Sequence, residues 1–147
     1  MNTATTKNPR MNERLQQYWQ ELRSGRAMPL ESEIDMDALS DIWGHCFLVS
    51  VKNGAFAYSY LGEHLVDAFG DDLTGKEIVE TLVYPHPSSL LNTFAGVVQS
   101  GVPGMDGSDF VNSRGVTVKY RSCVLPLGSA NTPAVAFLLG GMNWKAY

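Results

Sequence analysis

Apolar residues near the N-terminus recur every three or four positions in "RMNERLQQYWQELRSG", a spacing that predicts an amphipathic helix ending at Gly25. Polar residues 1–8 precede it and are expected to form a disordered tail. An acidic connector follows up to residue 34, and Asp35 is placed to cap a short helix beyond it. The apolar stripe of the predicted N-terminal helix consists of Met11, Leu15, Tyr18, Trp19 and Leu22.

A period of two begins in "HCFLVSVKNGAFAYSYL" and predicts two strands. The pair Asn53-Gly54 between them readily supplies the positive φ angles of a tight hairpin turn. In the second strand, strict alternation places Phe56, Tyr58 and Tyr60 on one face. The sequence therefore predicts a β-hairpin whose three aromatic side chains point the same way.

Helical spacing returns after Gly62. The segment "EHLVDAFG" predicts a short helix, residues 77–83 predict another, and "SSLLNTFAGVVQSG" predicts the clearest long helix. Beyond Gly101 the period is again two, in "MDGSDFVN" and "VTVKYRSCVLPL", which predict a second hairpin. Finally, "AVAFLLGGMNW" is apolar enough for a central strand that is buried on both faces.

Composition and charge limit the function classes. The 147 residues are 44% hydrophobic and 18% charged, which fits one folded domain. A net charge of -4 argues against nucleic acid as a partner, because phosphate binding requires concentrated Lys and Arg. Residues 1–30 carry five basic and two acidic side chains, so either a basic helix faces an acidic body or an acidic surface lies elsewhere.

Cysteines and hydropathy indicate the compartment. Cys46 and Cys123 are flanked by apolar residues and are expected to be buried, reduced thiols. Their spacing is not that of a metal site. The N-terminus lacks the apolar core of a signal peptide, and the longest apolar run is too short to span a membrane. The sequence therefore predicts a cytoplasmic protein without a membrane span.

The order of elements and several phrases carry a family resemblance. Helix, two strands, inserted helices and three strands follow each other as in a PAS domain. A family of bacterial single-domain PAS proteins is similar in four phrases: "YWQELRSGRAMP", "WGHCFLVSV", "YSYLGEHLVDAFGDDLTGKEI" and "VLPLGSA". That family often has an arginine three residues before the glycine that ends strand two. This chain has Ser59 there, so any role of that arginine is in doubt.

The resemblance implies an α+β fold. Five antiparallel strands would lie in the order 2-1-5-4-3, with helices inserted between strands two and three and an N-terminal flanking helix. The PAS core would then span residues 35–147, after the helix and connector of residues 9–34. The inserted helices would wall a cavity against the sheet.

Motifs of common enzymes are missing from the sequence. It contains no P-loop, nucleophile elbow or dinucleotide fingerprint, so a non-enzymatic function is expected. A weaker alternative is a small α+β enzyme in which His64 or His86 works with a carboxylate such as Asp67. The same histidines are candidate haem ligands, so haem stays open as a cofactor. Flavin photochemistry is not expected, because neither cysteine stands in the "NCRFLQ"-like phrase of light-sensing flavin domains. No metal site is predicted and the cofactor is left unknown.

Candidate ligand residues come from the expected cavity. The set comprises Tyr60, His64, Phe94 and Tyr120, with Cys123 as a further candidate that strand parity turns away from Tyr120. Core packing is the alternative explanation for all of them, since pockets and cores use the same residue types.

The N-terminal stripe offers two further alternatives. It either covers the sheet of its own chain or pairs with a second copy, which would make Met11, Leu15, Tyr18, Trp19 and Leu22 a dimer interface. The favoured function is a stand-alone PAS sensor or adaptor in signal transduction that contacts another signalling protein and holds a small ligand. The alternative is a purely structural interaction module with a filled core.

Overall fold

The computed structural model describes residues 11–78 and 88–147. Helix α1 (Met11–Arg23) is followed by three short 3-10 turns, Glu31–Glu33, Asp37–Leu39 and Trp43–His45. The remaining helices are α2 (Glu63–Phe69) and α3 (Ser88–Ser100). The strands are β1 (Cys46–Lys52), β2 (Ala55–Leu61), β3 (Glu77–Ile78), β4 (Gly104–Val111), β5 (Thr117–Ser129) and β6 (Thr132–Ala146).

All described strands form one sheet in the order β3-β2-β1-β6-β5-β4, and each neighbouring pair is antiparallel. Without the two-residue strand β3, this is the predicted five-strand order. The apolar C-terminal run is the central strand β6, as expected, and it pairs with both β1 and β5. The helix predicted over residues 77–83 is wrong at its start, because Glu77 and Ile78 pair with β2. Residues 79–83 lie outside the described part.

Glycines close the predicted turns and helices. Asn53 and Gly54 have φ angles of 52° and 79°, which confirms the tight turn between β1 and β2. Helix α2 ends at Gly70, whose left-handed φ of 83° stops the helix. The predicted helix at Asp35 is replaced by the 3-10 turns Asp37–Leu39 and Trp43–His45. At the start of Asp37–Leu39, the Asp37 amide donates to the Asp35 carboxylate at 3.0 Å.

The sheet has two covered faces. Helices α2 and α3 pack on what we call the inner face, where Phe47, Val49, Tyr58, Val124 and Leu138 are buried. Helix α1 and the connector pack on the outer face, over Cys46, Cys123, Leu125, Leu127 and Leu139. The domain therefore has three layers, with β6 buried on both sides over residues 138–142.

Ion pairs join α1 and its C-terminal turn to the acidic connector. The Arg14 guanidinium donates two hydrogen bonds to the Asp41 carboxylate, at 2.7 and 3.0 Å, and a third to the Ala38 carbonyl. These bonds hold the pKa of Asp41 below its usual range. Arg26 lies 3.0 Å from the Glu33 carboxylate. Arg14 and Arg26 thus face acidic residues of the same chain, which was one of the two arrangements that the charge distribution allowed.

A β-bulge overturns the predicted alternation in β2. Leu48 of β1 pairs with Tyr60 and the next residue, Val49, pairs with Tyr58, which leaves Ser59 as an extra residue. One extra residue reverses the direction of every later side chain in the strand. Tyr58 therefore lies in the inner core and Tyr60 on the outer face.

Candidate functional site

The inner face, where a ligand cavity was expected, is packed with aromatic rings around Phe94. The Phe94 ring centroid lies 5.7 Å from that of Phe47, 5.6 Å from that of Phe56 and 6.5 Å from that of Tyr58. Phe94 and Phe47 are fully buried, and Tyr58 is 1% exposed. These distances are those of edge-to-face and tilted aromatic packing. Phe94, a predicted ligand residue, is therefore packed against three aromatic side chains of the described residues.

A polar cluster lies where α3 begins beside β4 and β5. The Tyr120 hydroxyl, at the edge of the inner core, donates a short hydrogen bond to the Asp106 carboxylate. The Ser89 hydroxyl is 2.9 Å from the Tyr120 oxygen and donates to Asp106 at 3.2 Å. Burial, together with the bond to Asp106, raises the pKa of the Tyr120 hydroxyl above its ordinary value. Tyr120 therefore stays protonated and its hydrogen bonds are already made.

Tyr60 is separated from the other predicted ligand residues by the sheet. Its ring stacks on Trp43 with centroids 4.6 Å apart, and its hydroxyl donates to the Trp43 carbonyl at 2.8 Å. The bulge at Ser59 causes this, because it turns Tyr60 to the outer face. The prediction that Tyr60 and Phe94 line one cavity is therefore wrong for this structure.

His64 lies at the surface, in the first turn of α2. Its imidazole stacks on that of His45, with ring centroids 4.2 Å apart, and its side chain is 49% exposed. Burial, and secondarily the neighbouring His64, lower the pKa of His45 below its ordinary value. Gly44 and Gly62 allow their two backbone segments to approach closely, and a Cβ on Gly62 would overlap the Gly44 carbonyl. This approach brings the neighbouring rings of His45 and His64 together.

The stripe of α1 packs on the sheet of its own chain, which was one of the two alternatives. Leu15 is fully buried and Trp19 is 4% exposed, with its indole N–H donating to the Pro126 carbonyl at 2.8 Å. Met11 is also buried, and Leu22 is half-buried. The Tyr18 hydroxyl accepts a hydrogen bond from the Asp35 amide at 2.8 Å. The dimer interface through these residues stays a prediction, and within one chain its largest side chains are already covered.

An open groove of about 750 Å³ runs over the outer face beyond the end of α1. Its floor is formed by Lys119, Arg121 and Lys145, and its rim includes Asp109 and Tyr147. It continues through Arg121 into a second hollow of about 400 Å³ that reaches Met105. We call this surface, defined by those six residues, the cationic groove.

A family comparison identifies the fold. The sequence profile of the PAS domain family matches residues 7–142, which is most of the chain. This protein belongs to the PAS domain family. No curated protein sequence matches it significantly.

Two solved structures with TM-scores above 0.5 show the same PAS fold at low sequence identity. The light-state structure of the LOV domain of the blue-light photoreceptor Aureochrome1 has a TM-score of 0.52 and 13% identity, covering 73% of this chain and 85% of that one. A light-oxygen-voltage domain studied with a flavin analogue has a TM-score of 0.57 and 11% identity, covering 74% and 82%. The PAS-B domain of Drosophila melanogaster Cycle, with bound glycerol, reaches 0.48 and 11%, covering 69% and 99%.

The cysteines of this PAS domain lie on the outer face, away from the inserted helices. Cys46 of β1 and Cys123 of β5 both pair with Gly141 of the central strand, and both are free thiols with no exposed surface. Burial raises the pKa of Cys123 to about 12 and raises that of Cys46 as well. The prediction of buried, reduced thiols is confirmed, and both thiols are protonated at neutral pH.

PAS domains are generally sensory rather than catalytic. Within residues 11–78 and 88–147, no cluster of His, Cys, Asp or Glu could hold a metal ion. In the same ranges, no helix is long and apolar enough to cross a membrane. His86, the second histidine considered for haem and for acid–base chemistry, lies outside the described residues.

Sequence reasoning missed two clusters. Ser89 and Asp106 belong to elements that were predicted, yet their meeting with Tyr120 depends on how α3 docks on the β4–β5 hairpin. Strand alternation put Lys119 and Arg121 on one face, which was a usable signal for the cationic groove. Lys145 joins them only through the register between β5 and β6.

Proposed function

We propose that this protein is a PAS sensor or adaptor of bacterial signal transduction that works in the cytoplasm through contacts with other proteins. The aromatic packing around Phe94 carries this proposal. Its ring is enclosed by Phe47, Phe56 and Tyr58 at centroid distances of 5.6 to 6.5 Å, where a ligand-binding PAS domain needs open volume. This close packing supports a mode of action through the outer surfaces of the domain.

Support for a protein contact comes from the exposed surface. Among the described residues, three of the five exposed large apolar side chains lie in or next to β4, namely Val102, Met105 and Val111, each more than half exposed. Tyr147, which follows β6, is exposed as well. Exposed apolar groups beside charged ones are typical of protein-binding surfaces. A surface of this kind fits an adaptor better than it fits an enzyme.

Native mass spectrometry with an absorption spectrum tests the proposal. The protein is purified without denaturant, and its native mass is compared with the mass of the same sample after denaturation. We expect equal masses per chain and no absorption from haem or flavin. A small molecule that is released stoichiometrically on denaturation would contradict a mode of action through protein contacts alone.

A ligand-assisted sensor is the second candidate, and the Ser89–Asp106–Tyr120 cluster favours it. Three polar groups that meet beside an apolar core resemble the few convergent polar groups of a ligand site. Tyr120→Phe tests it, since the variant keeps the ring and loses the hydroxyl. If a metabolite screened by its effect on thermal melting stabilises the wild type and not Tyr120→Phe, this second candidate replaces the first.

The proposal includes a dimer of this protein, which is tested by measuring the oligomeric state. Deleting residues 1–26 removes α1 and uncovers the apolar outer face over Leu125, Leu127 and Leu139. Light scattering of the full chain gives its oligomeric state. A dimer that persists in variants of the outward side of α1, such as Gln17→Arg, would place the contact elsewhere on the domain.

A further inference from the structure

We infer that the cationic groove binds an acidic, extended segment of a partner protein. This inference rests on the proposed function, because it names the chemistry of the protein contact proposed above. It is carried by three observations: unneutralised cations that share one face, exposed apolar groups at the rim, and the length and openness of the groove.

Strand register brings the cations together. Lys119 and Lys145 are directly opposite each other on β5 and β6, and Arg121 is two residues along β5 on the same face. Like charges at directly opposite positions of a sheet repel each other and are destabilising. An anionic partner offsets this repulsion. Binding is therefore favoured, because it relieves a destabilising interaction of the free protein.

Acidic side chains of the same chain leave these cations uncompensated. Among the described residues, none of the ion pairs within 4.0 Å involves Lys119, Arg121 or Lys145. Asp109, opposite Lys119 on β4, is the one carboxylate that lines the 750 Å³ hollow, and the second hollow adds Glu13 and Asp106 near Met105. Positive charge is therefore in excess in the 750 Å³ hollow, where three cations meet one carboxylate on a protein whose net charge is -4.

The rim adds apolar contact area. Met105 is 59% exposed and Tyr147 is 71% exposed, at opposite ends of the groove. Gly107, opposite Arg121, presents no side chain, so the floor is open between β4 and the guanidinium. An acidic segment with apolar residues at its ends matches this arrangement.

The dimensions favour a chain segment over a small anion. The groove follows β5 from the level of Cys123 to that of Thr117, which is roughly 20 Å at the usual rise of about 3.3 Å per residue. That length accommodates about six residues of an extended peptide. A small anion would contact a single cation pair and leave the rim unused.

A second copy of this chain is the less favoured occupant. Its acidic connector is the obvious counterpart, but Asp41 is held by Arg14 and Glu33 by Arg26. The Asp35 carboxylate accepts the Asp37 amide. Docking these three carboxylates into another molecule's groove would break contacts that they already make, so we assign the groove to a different protein.

Fluorescence anisotropy with a defined probe tests the inference. The probe is a fluorescein-labelled ten-residue peptide with five glutamates and two terminal leucines, and the control peptide has glutamine for each glutamate. We expect the wild type to bind the acidic peptide in preference to the glutamine peptide and to lose affinity as salt is added. Equal binding of the two peptides, or no binding of either at low ionic strength, would overturn the inference.

Matched variants locate the binding. The double variant Arg121→Glu with Lys145→Glu should weaken the acidic peptide roughly tenfold, since two modest exposed attractions become repulsions. Lys52→Glu, in the exposed end of β1, is the charge control and should leave affinity unchanged. For the apolar rim, Met105→Ser should weaken binding, whereas Met36→Ser, at an equally exposed methionine, should not. Circular dichroism confirms that each variant is folded.

Two results would separate this inference from the proposed function. If the double reversal and Lys52→Glu bind the peptide equally, the groove is not the site, and a PAS adaptor acting through another surface still stands. If light scattering shows a salt-sensitive dimer of the wild type that the double reversal abolishes, the occupant is a second copy and the assignment to a different protein is wrong.

Discussion

The ring of Phe47 lies directly against the backbone of Gly140, its partner across the β1–β6 ladder. A Cβ built on Gly140 would overlap three ring atoms of Phe47. Phe47 in turn packs edge-on against Tyr58 and tilted against Phe94. Because Gly140 has no side chain, the Phe47 ring can lie directly on the central strand and the aromatic core can pack over it.

Replacing this glycine should therefore be costly. Gly140→Ala forces the Phe47 ring out of its position, and we expect a loss of about 1–3 kcal/mol in the free energy of unfolding from overpacking. Urea unfolding measures it. Gly96→Ala is the matched control, because Gly96 lies in α3 with open space around it and alanine there should stabilise by up to about 1 kcal/mol. Equal effects of the two substitutions would contradict the role given to Gly140.

Asn112 ties the β4–β5 turn to helix α2. Its side-chain amide donates to the Ala68 carbonyl at 3.0 Å, and its side-chain oxygen accepts from the amides of Arg114 and Val116. Because Asn112 is buried, Asn112→Ala leaves these backbone groups without partners, at a cost of about 2–3 kcal/mol in unfolding free energy. Asn92→Ala, at an exposed position of α3, should change it by less than about 0.5 kcal/mol. A small effect at Asn112 would show that water replaces the amide.

Docking of α1 should control access to both thiols. Trp19→Ala removes a buried ring and its hydrogen bond to the Pro126 carbonyl, so α1 should detach more often. The rate at which Cys46 and Cys123 react with an aromatic disulfide reagent should then rise at least about tenfold. Gln17→Ala, on the exposed side of the same helix, serves as control. Unchanged thiol reactivity in Trp19→Ala would mean that the outer face stays covered without this anchor.

The His45–His64 stack predicts a dependence of stability on pH. Unfolded His45 takes up a proton near its ordinary pKa of 6.5, whereas folding lowers that pKa through burial and the adjacent His64. Between these two values the unfolded state binds more protons, so stability rises with pH there. The stability that His45 contributes is complete above its pKa in the unfolded protein. It is lost as the pH falls through the lower pKa of His45 in the folded protein.

His45→Gln should therefore reduce the loss of stability between about pH 7.5 and pH 5.5, as measured by urea unfolding. His64→Gln is the control that removes the smaller cause only, and it should keep most of the pH dependence. An imidazole titration followed by NMR assigns the pKa directly. A wild-type pH slope that persists in His45→Gln would show that other groups produce it.

Local periodicity was sufficient for most elements. The turn at Asn53-Gly54, the helix stop at Gly70 and the long helix α3 depend on conformational preferences of a few adjacent residues, which the sequence states directly. The Ser59 bulge had no such signal, since it is set by how two strands fit across their ladder. One unpaired residue was enough to move Tyr60 from the predicted cavity to the opposite face.

By itself, the sequence determined the order of helices and strands, the PAS strand arrangement and the alternation that separates Tyr120 from Cys123. The order of elements and the alternation follow from short-range spacing and turn chemistry, whereas the strand arrangement is what the resemblance to PAS domains implies. Only the tertiary structure decided that aromatic rings pack around Phe94 on the inner face, that α1 covers the sheet of its own chain, and that Lys145 stands opposite Lys119. Such relations join residues far apart in the chain, and their geometry is fixed by packing and strand register, which no local pattern encodes.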